Sequence, residues 1–412
     1  MLRLWRSDKE NFMTTLGQTD RLHPLAIFVI FLRLGLTSFG GPIAHLGYFR
    51  QEFVERRKWL DEHAYADLVS LCQFLPGPAS SQVGISLGLS RGGIPGAFAS
   101  WLGFTLPSAI LLVLFGLGLS VVGDQLGSGW LHGLKIVAVA VVAQALWGMG
   151  KNLSPDKVRA SIAVCAALIA TLIPSSIGQI GAIVASGLFG WAFLRPTVAP
   201  PHSFIQTATS KTTGAALLVF FVLLLLLLPV AASGSDSHIV RLFDSFYRAG
   251  SLVFGGGHVV LPLLQSQVVP SGWVSNDVFL AGYGAAQAVP GPLFTFAAYL
   301  GAVSTQEPSG WTGAGVALIA IFLPSFLLII GILPFWESLR RYEAMQRATL
   351  GINAAVVGIL LAAFYNPVWT SAIQSTTDFC LAAIAFLFLV FWKFPPWLVV
   401  LLGAVVTGLG IG

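Results

Sequence analysis

Two arginines interrupt apolar runs in this sequence, in Phe31-Leu-Arg33-Leu-Gly35 and in Phe246-Tyr-Arg248-Ala-Gly250. A charged side chain at the centre of a bilayer costs about 2.5–3.5 kcal/mol on insertion scales and is normally kept for a polar cavity or an ion path. Each guanidinium offers a planar fork of donors suited to oxyanions. No acid stands in either apolar segment, so the pair points to an anionic substrate. The alternative is an arginine that snorkels to the interface, which suits Arg248 because it lies near the start of its segment. Pro-Gly-Pro occurs twice inside apolar segments, as Pro76-Gly77-Pro78 and Pro290-Gly291-Pro292. Proline must break a helix there, and Pro78 and Pro292 are placed to open a new half-helix. Its free N–H groups and positive dipole end would favour an anion. Ser80, Ser81 and Gln82 follow the first motif and Thr295 the second, while Gln73 and Gln287 precede them. A purely structural kink is the competing reading. Gly40-Gly41 and Gly255-Gly256-Gly257 would permit close backbone approach or an anion-binding nest. His45 and His258 follow these glycines as candidate proton carriers, or as hydrogen-bonded packing residues.

The elements that position these residues must lie in a membrane. Of 412 residues, 56% are hydrophobic and 9% charged, with mean hydropathy +0.82. A soluble domain carries about 25% charged residues. Long unbroken runs such as 215–230 exclude a transmembrane barrel, which alternates over about ten residues. What remains is an all-α polytopic membrane helical bundle. The net charge of +5 reflects Lys and Arg in loops and reads as topology, not nucleic-acid binding. Cys72, Cys165 and Cys380 are widely spaced and form no disulfide or metal framework. No metal cluster, P-loop or nucleophile–base pair is present in the sequence, so no cofactor, no metal and no enzyme activity are expected.

Thirteen apolar segments fall near 24–46, 66–90, 95–122, 130–149, 158–174, 177–194, 213–232, 245–268, 278–304, 313–335, 349–365, 378–392 and 395–411. They are not independent. Arg33-Leu-Gly-Leu-Thr-Ser-Phe-Gly-Gly41 recurs as Arg248-Ala-Gly-Ser-Leu-Val-Phe-Gly-Gly256 at an offset of 215; Trp59 meets Trp273 and Pro76-Gly77-Pro78 meets Pro290-Gly291-Pro292 at 214; Leu106-Pro-Ser108 meets Leu323-Pro-Ser325 at 217. This spacing predicts a tail over 1–23, a first membrane repeat over 24–195, a linker with one connecting helix over 196–240, and a second repeat over 241–412. An odd number of crossings between copies makes them inverted homologous repeats with broken or re-entrant helices, a common transporter architecture. Positive charges at Lys151, Lys157, Arg159, Arg195, Lys211, Arg340, Arg341, Arg347 and Lys393 fit a cytoplasmic N-terminus. Arg50, Arg56, Arg57 and Lys58 fit it only if 24–46 and 66–90 are re-entrant hairpins turning at the two glycine–proline motifs. Broken helices that span fully are the alternative.

The stretch Phe39-Gly-Gly-Pro-Ile-Ala-His45, with Trp59-Leu60, Tyr65-Ala-Asp67 and Cys72-Gln-Phe-Leu-Pro-Gly-Pro-Ala-Ser-Ser-Gln-Val-Gly84, resembles the chromate ion transporter family. The resemblance extends to Phe254-Gly-Gly-Gly-His258 and Gln287-Ala-Val-Pro-Gly-Pro292, in the two-repeat, long-chain form. It implies a bacterial inner-membrane protein that exports chromate, driven by membrane potential or a proton gradient, and confers chromate resistance. The family's motif residues carry over at Arg33, Gly40, Gly41, Pro42, His45, Pro76, Gly77 and Pro78. The second copy departs from the first, with Gly257 for Pro42 and Leu293-Phe294 for Ala79-Ser80. A passive anion channel and a transporter of sulfate-like oxyanions are the alternatives, because fixed donors discriminate poorly between tetrahedral isosteres. Expected partners are the oxyanion and the lipid bilayer, with a homodimer as one arrangement.

Overall fold

The computed structural model describes residues 21–122, 129–195, 209–254, 257–339 and 342–409. Most of the expected tail, Gly255, Gly256, Arg340 and Arg341 lie outside the described residues. Within them the chain is all-α, without strands. Five helices are long and apolar enough to cross a membrane, so the protein is a multi-pass membrane protein.

The first copy starts with two helices too short to span. Helix α1 (Pro24–Thr37) has 14 residues, roughly 21 Å against a hydrocarbon core of about 30 Å. The chain breaks at 38–40 and returns as α2 (Gly41–Arg50), continued by a π-helical turn over Gln51–Arg56. Phe31 stacks on Phe53 at 5.1 Å and meets Phe49 at 5.7 Å, so the two arms lie side by side as a hairpin. Asp61 caps α3 (Glu62–Phe74) by accepting from the Ala64 N–H at 2.8 Å. After Pro76-Gly77-Pro78 comes α4 (Ala79–Val122), 44 residues containing a non-helical Gly93. This is two antiparallel arms, not one rod. A Cβ on Gly88 would strike the Gly96 carbonyl and the Ser100 side chain, whereas a straight helix would hold 88 and 100 about 18 Å apart. The apolar segments 66–90 and 95–122 thus join through a reversal at Gly93 with almost no intervening loop. Leu22 N–H donates to the Arg91 carbonyl, and Arg91 donates to the Trp59 carbonyl, which brings three ends of the two hairpins to one base.

Three helices follow, α5 (Gly129–Leu153), α6 (Lys157–Leu172) and α7 (Ser176–Phe193), then the connecting helix α8 (Lys211–Ser233), on which only Gly214 is buried. The second copy repeats the pattern. Helix α9 (His238–Leu252) starts seven residues before the expected segment at 245, and the chain resumes in a 3-10 turn at Gly257 and α10 (Val260–Val268). Ser275, at the repeat position of Asp61, caps α11 (Asn276–Ala288). A 3-10 turn over Leu293–Thr295 leads into α12 (Phe296–Ala302), and α13 (Gly310–Ile332) crosses the bundle. Thr305 N–H donates to the Trp273 carbonyl and the His238 ring packs 4.6 Å from Trp273, forming the second base.

Glycines set matched close approaches in both copies. A Cβ at Gly35 would lie 2.7 Å from the Gly103 carbonyl oxygen, and one at Gly250 would strike the Ile321 carbonyl. Gly88 and Gly96 oppose one another as Gly301 and Gly313 do. Arm 94–122 runs from Gly96 at the first base to Gly116, whose Cβ would meet Val303 and Tyr299 by the second base. Those 20 residues cover about 30 Å. Three last helices, α14 (Glu343–Ala363), α15 (Thr376–Val390) and α16 (Pro396–Gly408), close the bundle. Helix α14 packs on α6 and α7, and α15 and α16 pack on α5.

Candidate functional site

The two Pro-Gly-Pro turns meet the two glycine-flanked helix breaks. Gly77 N–H donates to the Val253 carbonyl at 2.7 Å, and Gly291 N–H donates to the Ser38 carbonyl at 2.9 Å. Each turn in one copy thus closes the break in the other. Both glycines need positive φ, 120° at Gly77 and 100° at Gly291, which L side chains rarely adopt. Neither has room for a Cβ: at Gly77 it would lie 2.8 Å from Ser325 Oγ, and at Gly291 2.8 Å from Ser108 Oγ. The buried Ser38 Oγ, Ser81 Oγ, Gln82 Oε1 and Ser325 Oγ find no hydrogen-bond partner among the described residues. Unpaired buried polar groups are costly, and these four stand on elements that cross at the tips.

A vestibule of about 950 Å³ descends from Asn152, Leu153 and Lys393 to Gly40, Gly77, Gly257 and His258, with Gln73 and Asn353 in its wall. It adjoins a cavity of about 40 Å³ lined by Gly40, Gly41, Gln144, His258, Gln287 and Gly291. Gly40, Gln144 and His258 line both. Gln287 Nε2 is buried with no hydrogen-bond partner among the described residues, a donor left available at the bottom of this path. His258 Nδ1 is 2.8 Å from Tyr283 Oη, which leaves the other ring nitrogen toward Gly41. His45 is buried elsewhere, its Nδ1 3.4 Å from Ser80 Oγ and its ring edge-on to Phe104. The structure therefore puts the two histidines in different surroundings, one beside the cavity and one in the packed first copy.

Several sequence expectations change. Arg33 and Arg248 do not reach the tips. Arg33 lines a separate cavity on the first hairpin beside Glu52. Arg248 is not free of acids: its Nη2 is 2.6 Å from Asp244 Oδ2 and 3.3 Å from Gln267 Oε1. Helix α9 begins before the apolar segment, which puts Asp244 one turn below Arg248. Gln82 and Thr295 were expected to donate to an anion, yet Gln82 Nε2 donates to the Pro76 carbonyl at 2.7 Å and Thr295 Oγ1 to the Pro292 carbonyl at 2.7 Å. Each spends a donor on its own turn, the single hydroxyl hydrogen of Thr295 and one of the two amide hydrogens of Gln82. The half-helix expected after Pro292 is a 3-10 turn and a seven-residue helix, so a regular half-helix follows Pro-Gly-Pro only in the first copy. Pro76, Pro78, Pro290 and Pro292 shape the turns, and Gly255 and Gly256 lie outside the described residues.

Gln144 and Asn353 were missed, although polar residues interrupting the apolar segments 130–149 and 349–365 are a legible signal, and Lys393, counted above only as a loop charge, also lines the vestibule. Also missed were two polar pairs that tie α5 to the second copy, Lys135 with Asp277 at 2.9 Å and His132 with Asp378 at 2.8 Å.

The chromate transporter family matches residues 25–191 and 240–409. A chromate transport protein of Pseudomonas aeruginosa is 26% identical over 361 residues, covering 86% of this chain and 84% of that protein. A probable chromate transport protein of Synechococcus elongatus is 28% identical over 339 residues, 81% of each. An uncharacterized transporter of Bacillus subtilis is 35% identical over 124 residues, which are 30% of this chain and 67% of that protein, so it is close to one repeat in length. No solved structure matches.

Proposed function

The chain belongs to the chromate transporter family, and we propose that it is a secondary transporter that exports chromate across the bacterial inner membrane. The observation that carries this reading is the reciprocal pair of bonds, Gly77 N–H to Val253 and Gly291 N–H to Ser38, at the foot of a vestibule reached from one side. A site closed by two symmetry-matched contacts is suited to opening alternately from each side, as a carrier requires. The relatives named for chromate transport support the substrate.

The reading includes inverted repeats. What supports the inversion is the packing of equivalent helices: Phe98 stacks on Phe326 at 4.7 Å and Trp101 meets Phe322 at 5.7 Å, so arm 94–122 and α13 run antiparallel. Trp336, beyond α13, donates to Asp67 near the first base, just as Gly116 reaches the second. With the N-terminus in the cytoplasm, the base holding Arg50, Arg56, Arg57 and Lys58 is cytoplasmic, and the vestibule beside Lys393 faces inward. The substrate would descend to Gly40, Gly41, His258, Gln287 and Gly291, where backbone and amide donors replace hydration. A cell interior that is negative drives a dianion outward by about 4.6 kcal/mol per 100 mV, so export needs neither ATP nor an obligatory proton.

Uptake of radiolabelled chromate into everted membrane vesicles, with and without excess sulfate, tests this reading. Saturable uptake above that of vesicles lacking the protein is expected. Uptake that never saturates would favour a channel, and none at all would remove chromate as substrate.

A further inference from the structure

The first hairpin holds a third cavity, of about 130 Å³ and open to the surface, lined in part by Arg33, Tyr48, Gln51, Glu52, Arg56 and Arg57. Its formal charge is +2, three guanidiniums against one carboxylate. Glu52, 7% exposed, holds two of the three: Oε2 is 2.7 Å from Arg56 Nη1 and Oε1 is 2.7 Å from Arg57 Nε. The π-helical turn over Gln51–Arg56 brings these residues together, and such turns are frequent at functional sites. Each of the two held guanidiniums gives one N–H to Glu52 and keeps others available. Arg33, exposed on α1, takes part in none of the ion pairs formed among the described residues.

The equivalent place in the second copy is neutral. Arg248 matches Arg33 and Gln267 matches Glu52, both at an offset of 215; Asp244 stands where the first copy has Val29, and Ser271 and Gly272 stand where it has Arg56 and Arg57. Asp244, 2% exposed, takes the Arg248 guanidinium at 2.6 Å. One hairpin thus presents a donor-rich cation cavity and the other a locked, self-neutralised pair.

We propose that the cavity at Arg33, Arg56 and Arg57 is a capture site for a small tetrahedral oxyanion, placed upstream of the transport path, and that Arg248–Asp244 is its silenced counterpart. The assignment of faces rests on the transport reading above; the binding site itself does not. Tyr48 lines both this cavity and the vestibule, which makes the two neighbours. A positive cavity concentrates anions at its own mouth, and a neutral one opposite does not. Capture lowers half-saturation on the arginine face and leaves the final equilibrium gradient unchanged.

The test uses the full chain. Equilibrium binding of radiolabelled sulfate is measured in phosphatidylcholine nanodiscs, and chromate flux is measured from each face in oriented proteoliposomes. A triple variant, Glu52→Gln with Arg56→Gln and Arg57→Gln, lowers the cavity charge to +1 without stranding a buried carboxylate. Half-saturation on the arginine face should rise about fivefold or more, since a unit charge at 4 Å is worth about that factor even in water. The opposite face should not change, and the effect should fade in high salt. Arg56→Lys with Arg57→Lys, which keeps the charge, should restore most of the binding if the triple variant folds poorly. Asp244→Asn, which unlocks Arg248, should lower half-saturation on the opposite face. Unaltered sulfate binding and half-saturation in a folded triple variant would overturn the proposal. Binding that soluble short-chain phosphatidylglycerol displaces, while inorganic phosphate at the same concentration does not, would also overturn it, by assigning the cavity to a lipid headgroup. Sulfate binding lost in the triple variant, with no chromate flux in the wild type, would sustain the capture site while removing the transport reading.

Discussion

Replacing Gly77 with alanine probes the closure between the two copies. Gly77 sits at φ 120° and donates its N–H to Val253 at 2.7 Å. A residue with a side chain in such a region costs about 1–3 kcal/mol. The added Cβ would fall 2.6 Å from Gln82 Nε2 and 2.8 Å from Ser325 Oγ. Gln82 can swing away, but it then gives up its bond to the Pro76 carbonyl, about 1 kcal/mol net. The sum is roughly 2–4 kcal/mol, a large part of an ordinary stability of about 5–15 kcal/mol. Gly181→Ala on α7 is the control, because nothing lies within 4 Å of its added Cβ. Thermal unfolding in detergent and chromate flux at matched expression are the assays. Gly77→Ala should lower the unfolding midpoint and most of the flux, and Gly181→Ala neither. Wild-type behaviour of Gly77→Ala in both assays would refute the reasoning that the turn is built around a glycine.

Three other outcomes follow from the same contacts. Gly250→Ala should destabilise by about 1–3 kcal/mol or more, since its Cβ meets the Ile321 backbone, which cannot rotate away; expression and unfolding midpoint check this. A cysteine in loop 50–58 should resist a membrane-impermeant thiol reagent in intact cells while one at 270–276 is labelled; labelling of the first would restore full spans for the first two hairpins. Asp156 caps α6, and its bonds to the Arg159 and Val158 N–H groups hold its carboxyl below the usual 3.8, the Arg159 bond most strongly. Asp156→Ala should therefore cost about 0.5–2 kcal/mol at neutral pH. Because the folded value is depressed, that stabilisation is full above 3.8 and lost as pH falls through the lower folded value, so wild type and variant should converge in acid.

The sequence alone makes legible whatever the backbone constrains locally. Pro76-Gly77-Pro78 and Pro290-Gly291-Pro292 announce helix breaks because proline cannot continue a helix, and their common offset announces the repeat. The break between segments 66–90 and 95–122 is legible in Arg91-Gly-Gly-Ile-Pro95, but that the chain folds straight back on itself at Gly93, with almost no loop, shows only in the contact of Gly88 with Gly96 and Ser100. Distance decides the rest. Whether Gln82 serves a ligand or its own turn depends on a 2.7 Å contact to Pro76, and composition is the same in either case. Arg248 looked unpaired because hydropathy began its segment at 245, while the helix begins at 238 and brings Asp244 beneath it. The vestibule amides Gln144 and Asn353 stand in helices that belong to neither motif, so only packing could join them to the tips.

Chromate flux in proteoliposomes under a potassium–valinomycin potential, with no pH gradient, tests the transport reading most directly. Saturable flux whose rate follows the imposed potential is expected of a carrier moving a dianion. Flux that requires a pH gradient, or that is independent of the potential, would contradict it.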